Sequence, residues 1–325
     1  MSKALPLILI FLLTFALTAV FEKKLIPLLR RSAKQPIYAD GPVWHMSKQG
    51  TPTMGGLGFL FSSSIAFLAS LAYLFSIGEK HFALSFAITF IYAAANALIG
   101  IIDDSAKIRK RENAGLTPMQ KLLLQTAVAS VFMLARRFVL LEGTSVYFSF
   151  GELNLGVFYY PLGILMLLGT VNCANLTDGI DGLATGVAFA LFTALSYFSA
   201  EANPEVLFSS FIMMGATLAF LLFNLHPAKI FMGDTGSLFL GALAAASCFS
   251  MGNPLLILSI GVVYVIEGAS VIIQVAVFKA TKKRVFKMSP FHHHLEKCGW
   301  GENKIVIWAI ILTLLSSLFA SFLFI

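Results

Sequence analysis

The chain has 325 residues, of which 58% are hydrophobic and only 12% charged, with 31 phenylalanines, three cysteines and a formal net charge of +7. A soluble domain carries about twice that share of charge, so the long apolar runs exclude a water-soluble globule and point to an all-α integral membrane protein. In that class the positive balance reads as loops facing the cytoplasm rather than a nucleic-acid surface. The scattered Cys173, Cys248 and Cys298 make neither a disulfide framework nor a zinc site.

Ten apolar spans follow in chain order, near 4–21, 53–75, 82–102, 119–137, 157–172, 183–200, 206–223, 236–252, 254–278 and 304–325, in a single polytopic domain over 1–325. Each approaches the roughly 20 residues a helix needs to cross a bilayer. Lys3 stands alone before the first span, whereas Lys23, Lys24, Arg30, Arg31 and Lys34 follow it. A signal peptide has the opposite bias, so this segment is retained and its C-terminal end lies inside. Residues 138–156 alternate weakly and are rich in aromatics, which predicts a short hairpin at the outer surface. Gly252-Asn253-Pro254 is a tight turn between the eighth and ninth spans.

With that orientation the inner loops are 22–52, 103–118, 173–182, 224–235 and 279–303. The inner side gathers 19 Lys/Arg against four outside, namely Lys3, Lys80, Arg136 and Arg137. This positive-inside split places both termini outside. The positive-inside rule says little about acids, yet all six aspartates, Asp40, Asp103, Asp104, Asp178, Asp181 and Asp234, fall on the inner side, whereas glutamates occur on both. Convergence of several loops on one cytoplasm-facing site accounts for that bias.

Five stretches carry the candidate chemistry. His45–Phe59 sets Lys48 before Thr51-Pro52-Thr53 and three glycines, a helix start that also suits close helix packing. Ile99–Lys110 places Asp103 and Asp104 side by side at a helix end, where Lys107, the following basic run or a divalent cation can offset their repulsion; a solvated helix end is the plainer alternative. Asn172–Leu183 holds Asn172, Asn175, Asp178 and Asp181 at spacings of three, which share a face if the sixth helix starts this early. Hard oxygen donors of this kind suit Mg²⁺. In Phe223–Ser237, Asp234 lies between Gly233 and Thr235-Gly236-Ser237, poised either to cap the eighth helix or to meet a phosphate there. Lys287–Glu296 contains the triplet His292-His293-His294, whose rings diverge in any regular element and suit anion binding better than a three-histidine metal site. Glu267 stands in mid-span beside Gly268, where it either bends the ninth helix or pairs with a neighbour.

Over essentially its full length the chain resembles the polyprenyl-phosphate N-acetylhexosamine-1-phosphate transferases, through K-Q-G-T-P-T-M-G-G, I-D-D-S-A-K, N-C-A-N-L-T-D-G-I-D-G-L-A, P-A-K-I-F-M-G-D-T-G-S and S-P-F-H-H-H-L-E. The histidine triplet is similar to that of the phospho-N-acetylmuramoyl-pentapeptide branch. The resemblance implies ten transmembrane helices, outer termini, a cytoplasmic active site in the bacterial plasma membrane, a homodimer and Mg²⁺. It implies transfer of phospho-MurNAc-pentapeptide from UDP-MurNAc-pentapeptide to undecaprenyl phosphate, giving lipid I and UMP. On it, Asp103, Asp104 and Asp234 match the essential aspartates, with Asp234 and Asn175 as metal ligands. Lys48, Asp181 and Phe231 match uridine-holding positions. Thr53, Lys107, Lys121, Asn172, Asp178, Asn224, Gly233 and His292 to His294 line the remainder of the site. Ser105 departs from the aromatic that often follows the aspartate pair and is given no role.

Two rival readings remain at this point. One is the sister reaction with UDP-GlcNAc. The other is a transporter or magnesium channel, which should show ionisable residues across the whole bilayer or repeated halves; here the polar residues gather on one face and no repeat is seen.

Overall fold

The computed structural model describes residues 4–32, 48–110 and 115–324. Asp40, His45, Lys34 and Arg111 lie outside the described residues. In chain order the elements are α1 (Ala4–Ser32), α2 (Gly56–Ser76), α3 (Lys80–Lys110), α4 (Pro118–Phe138), the strands β1 (Ser145–Phe148) and β2 (Gly151–Asn154), α5 (Tyr159–Thr177), α6 (Leu183–Ser199), α7 (Pro204–Asn224), α8 (Gly233–Ser250), α9 (Leu256–Ile260), α10 (Val262–Thr281), α11 (Phe291–Lys297) and α12 (Glu302–Phe324).

Among the described residues eight segments, α1 to α4, α5 with the turn before it, α7, α10 and α12, are long and apolar enough to cross a membrane. The two other expected spans are the interior helices α6, with 17 residues, and α8, with 18. Every residue of α8 from Thr235 to Phe249 is buried. A helix that meets protein on all sides does not have to be apolar enough for lipid, so α8 can use Gly, Ala and Ser for close packing. Phe59 of α2 wedges beside it, with its ring 5.2 Å from Phe220 of α7 and 6.4 Å from Phe239 of α8. The peripheral helices show the reverse pattern. On α3, the exposed Leu84, Ile91 and Leu98 recur every seven residues as a lipid-facing stripe, while Phe86, Ala93 and Ala97 are buried.

The expected hairpin forms as an antiparallel pair, with Ser145 opposite Asn154 and Phe148 opposite Gly151. Tyr147 N donates to Asn253 Oδ1 (3.1 Å) and Ser149 N to Leu323 O (2.9 Å). The hairpin therefore covers the end of the bundle where α8 and α12 finish, opposite the N-terminus of α8.

One expectation about helix limits is corrected, and two points left open are decided. First, α3 continues to Lys110, so Asp103 and Asp104 sit inside its last turns rather than at a helix end. Second, α6 starts at Leu183, as its expected span of 183–200 has it, after Gly182 in the left-handed region (φ 78°), so the condition under which Asp178 and Asp181 share a helical face is not met. Asp178 closes α5, and Asp181 lies in the turn between the helices. Third, of the two alternatives for Glu267 the pairing holds: the ninth span is divided at Gly261, α10 runs unbroken through Glu267-Gly268, and Glu267 pairs with His292. Gly268 instead admits Cys173: a Cβ there would stand 2.3 Å from its Sγ.

Candidate active site

The N-terminus of α8 is the hub. Gly55 N and Gly56 N donate to Phe231 O (2.8 Å) and Met232 O (2.9 Å), and Phe231 N donates to Pro52 O (2.8 Å). The threonine-glycine entry to α2 is thereby paired with the chain leading into α8. Two helices then press their backbones onto the first turn of α8. A Cβ at Gly56 would stand 2.4 Å from Gly236 N, and one at Gly100 of α3 would stand 2.4 Å from Asp234 O. No side chain other than hydrogen fits at either position.

This approach delivers the aspartate pair of α3, and its two members do different things. Asp104 accepts from Asp234 N (3.2 Å), Thr235 N (2.9 Å) and Thr235 Oγ1 (2.7 Å). The carboxylate that caps α8 therefore comes from α3, which sets aside capping as the role of Asp234 among the two alternatives open for it. An acceptor from a neighbouring helix satisfies the free N–H groups just as a local cap would. Asp234 is then left to face outward. Its Oδ2 takes Lys121 (2.5 Å) and Lys107 (3.2 Å), and its Oδ1 accepts from Asn175 Nδ2 (3.0 Å). Asp103 accepts from Leu116 N (2.8 Å), with Lys107 2.6 Å and Lys121 3.3 Å away. Lys121 is placed by α4, whose start is fixed by a capping box between Thr117 and Gln120 with Pro118 at the first helical position.

Asp103, Asp104 and Asp234 each offer an oxygen within 4.8 Å of the others. Three carboxylates against two lysines leave one net negative charge at the edge of the bundle. That donor set fits Mg²⁺, which takes a few hard oxygens and leaves room for water and phosphate. Asn175 presents its amide nitrogen to Asp234 and to Ser237 Oγ (2.8 Å), so use of its oxygen as a ligand requires the amide to turn over.

A second cluster adjoins the turn between α5 and α6. Lys48 Nζ lies 2.7 Å from Asp181 Oδ1 and 2.6 Å from Glu302 Oε2. Glu302 Oε2 also accepts from Asp181 N (2.8 Å). His226 Nδ1 is 3.0 Å from Asp181 Oδ2 and 3.4 Å from Glu302 Oε1, and Ala228 N donates to Asp181 Oδ2 (3.0 Å). Glu302 and His226 were not anticipated from the sequence. An acid in the first turn of α12 reads there as a complement to the helix dipole, which hides its reach to Lys48. In the same turn, burial and the charges of Asp234, Asp104 and Asp181 hold the Asp178 carboxyl well above the usual carboxylate range.

The other expected residues divide. Gly233 (φ 71°) faces Thr53 and Asp104: a Cβ there would stand 3.0 Å from Thr53 Oγ1 and 2.6 Å from Asp104 Oδ2. Phe231 is half-buried in the segment paired with Pro52. Asn224 is buried with both ends of its amide taken, accepting from Thr185 Oγ1 (2.7 Å) and donating to Ile230 O (3.0 Å), so it shapes the loop before α8. Asn172 donates to Gln125 Oε1 (2.9 Å) and Leu168 O (2.8 Å), one turn away from the carboxylates. The three histidines diverge along α11, as expected. His292 turns to Glu267 (3.1 Å), His293 to Glu296 (2.6 Å), and His294 accepts from Lys287 N (3.1 Å).

Comparison with known proteins bears on this arrangement. A family model described as glycosyl transferase family 4 matches residues 83–252, and a phospho-N-acetylmuramoyl-pentapeptide-transferase signature matches residues 48–60. The chain is 41% identical over 314 residues to the phospho-N-acetylmuramoyl-pentapeptide-transferase of Halalkalibacterium halodurans, covering 94% of each chain. It is likewise 41% identical over 310 residues to proteins of that name from Bacillus thuringiensis and Bacillus cereus, covering 92% of this chain and 91% of theirs.

Proposed function

The chain belongs to the phospho-N-acetylmuramoyl-pentapeptide-transferase family, and on that premise we propose how its residues divide the work. It is a membrane transferase of peptidoglycan synthesis that moves phospho-MurNAc-pentapeptide from UDP-MurNAc-pentapeptide to undecaprenyl phosphate, giving lipid I and UMP. The observation that carries the reading is the meeting of Asp103, Asp234, Lys107 and Lys121 at the start of a buried helix, beside the Lys48–Asp181 pair. Asp181, Lys48 and Phe231 take the uridine, and the lysines take the pyrophosphate.

An oxygen of the lipid phosphate forms a bond to the sugar-side phosphorus, the bond from that phosphorus to the UMP oxygen breaks, and UMP leaves with the electron pair. Such a transfer needs alignment and charge neutralisation more than covalent help. A phosphate monoester has its second pKa near about 6 and is mostly dianionic at neutral pH. Asp103 therefore has little proton to remove, and we assign it to holding Lys107, Lys121 and the chain at Leu116. When bound, Mg²⁺ on Asp234, with Asn175 as a second candidate, neutralises pyrophosphate charge.

Ten spans, outer termini, a cytoplasmic site in the bacterial plasma membrane and a homodimer complete the reading. The 19-to-4 split of Lys/Arg supports the orientation, as does the position of the hairpin opposite the carboxylates. Purified protein given UDP-MurNAc-pentapeptide, undecaprenyl phosphate and Mg²⁺ should release UMP and form the lipid-linked sugar, and should exchange radiolabelled UMP into the donor. Turnover of UDP-GlcNAc instead would move the chain to the sister reaction. Cation flux into vesicles without any exchange would make it a channel.

A further inference from the structure

Glu267 is a carboxylate within the membrane-spanning helix α10, and nothing in the transfer reaction described above uses it. An ionisable group at that depth carries a function or a partner. It is buried, 3% exposed, and its partner is His292. The main-chain N of His292 donates to both Glu267 oxygens (3.2 and 3.3 Å), and His292 Nδ1 lies 3.1 Å from Oε2. Seven residues along the same face of α10, the side chain of Gln274 accepts from Val285 N (3.1 Å) and Phe286 N (3.0 Å). Glu267 and Gln274 of α10 thus hold both ends of the chain 285–292, the stretch that delivers α11.

A carboxylate can only accept, so the Glu267 contact puts the ring proton of His292 on Nδ1 and directs Nε2 the other way. His292 is fully buried, and Nε2 has no hydrogen-bond partner among the described residues. What it faces is the Asp178–Asp181 turn: a Cβ at Gly179 would stand 2.2 Å from Nε2. Only glycine lets the ring approach this turn. A buried ring nitrogen aimed without a partner into the turn that carries two aspartates calls for a physical reason.

We propose that Glu267 is a positioning residue for the nucleotide-sugar. It fixes the tautomer and direction of His292 so that Nε2 meets a polar group of the donor when donor entry eases the Gly179 turn away from the ring. The inference rests on the donor site proposed above and adds to it a residue one layer further into the membrane. The same pairing of a carboxylate with a histidine Nδ1 orients the ring in hydrolytic triads.

Two measurements on the full-length protein in detergent test this. In ¹⁵N-histidine-labelled protein without ligand, the signals lost in His292→Ala should be those of an Nδ1-protonated ring. UDP-MurNAc-pentapeptide should shift the Nε2 signal, and Glu267→Gln should scramble the tautomer. An Nε2-protonated ring in the wild type, or an Nε2 signal that ignores saturating donor, overturns the proposal. In turnover assays Glu267→Gln should lower kcat/KM for the donor about tenfold or more, the scale of losing a hydrogen bond to a charged group. KM for the lipid phosphate should stay unchanged, and Glu267→Asp should recover part of the loss. In a His292→Ala background Glu267→Gln should cost nothing further, because the two act as one unit; equal losses in both backgrounds overturn the assignment. Should Glu267→Gln fail to fold, the ligand-free spectrum of the wild type and the Glu267→Asp kinetics still decide it. The ligand-free tautomer does not depend on which sugar nucleotide is turned over, so a failure of the donor assignment remains distinguishable.

Discussion

Asp104→Asn separates an architectural aspartate from a chemical one. The Asp104 carboxylate, 3% exposed, takes three donors from the first turn of α8: Asp234 N, Thr235 N and Thr235 Oγ1. Each hydrogen bond to a charged acceptor contributes roughly 1.5–3 kcal/mol. Asparagine keeps one oxygen, which can serve about two of these donors, and turns an NH₂ toward the third. That leaves a buried donor unsatisfied at roughly 1–3 kcal/mol and weakens the other bonds. Relief from burying one of three crowded carboxylates offsets part of this, for a net loss of about 2 kcal/mol. At roughly 2–4 °C per kcal/mol for a chain of this size class, thermal unfolding of the detergent-solubilised protein should start about 4–8 °C lower. Turnover should fall with it, because the same turn carries Asp234. Asp234→Asn, which removes charge from a carboxylate that caps nothing, should leave the unfolding temperature within about 2 °C of the parent. If Asp104→Asn abolishes turnover with an unchanged unfolding temperature, Asp104 acts on the reactants and the capping argument fails.

Three further outcomes are expected. Asp234→Asn should remain inactive at every practical Mg²⁺ concentration while staying folded, since among the described residues the Asp234 carboxylate holds no backbone group and its oxygens meet the side chains of Lys107, Lys121 and Asn175; near-normal turnover would remove it from the mechanism. Glu302→Gln should raise KM for the nucleotide-sugar about fivefold or more with kcat nearly intact, because it loosens Lys48 and Asp181 without touching the Asp234 cluster; a collapse of kcat at constant KM would contradict that. For orientation, Phe150→Cys at the exposed tip of the hairpin should react with an impermeant thiol reagent added to intact cells while Cys298 does not, and labelling of Cys298 from outside would invert the topology.

The sequence exposed those parts of the fold that face lipid, and it missed those governed by neighbours. Spans such as α1, α7 and α12 are visible because lipid demands a continuous apolar stretch. The hairpin is visible because its strands alternate and its turn is marked by glycine. The start of α6 after Gly182 was visible too, but the C-terminal limit of α3 was not, because what keeps that helix going is contact with another chain segment rather than a local signal. Asp103 and Asp104 stay helical because Leu116, the lysines and the first turn of α8 take up their oxygens. The clustering of the aspartates was legible from their one-sided distribution, but the division of labour between adjacent carboxylates was not. Asp103 and Asp104 differ by one position in the chain and by about 100° around α3, which aims one at lysines and the other at the backbone of α8. Glu302 was opaque, and Glu267 was left open between bending its helix and pairing, for the same reason: each is a single acid whose meaning lies in the residue it reaches across the bundle, Lys48 in one case and His292 in the other. In a bundle of apolar helices a polar side chain has few places to go, so its partner says more about its role than its neighbours in sequence do. That is why glycines 56, 100 and 179, which let those partners approach, belong to the site as much as the acids themselves.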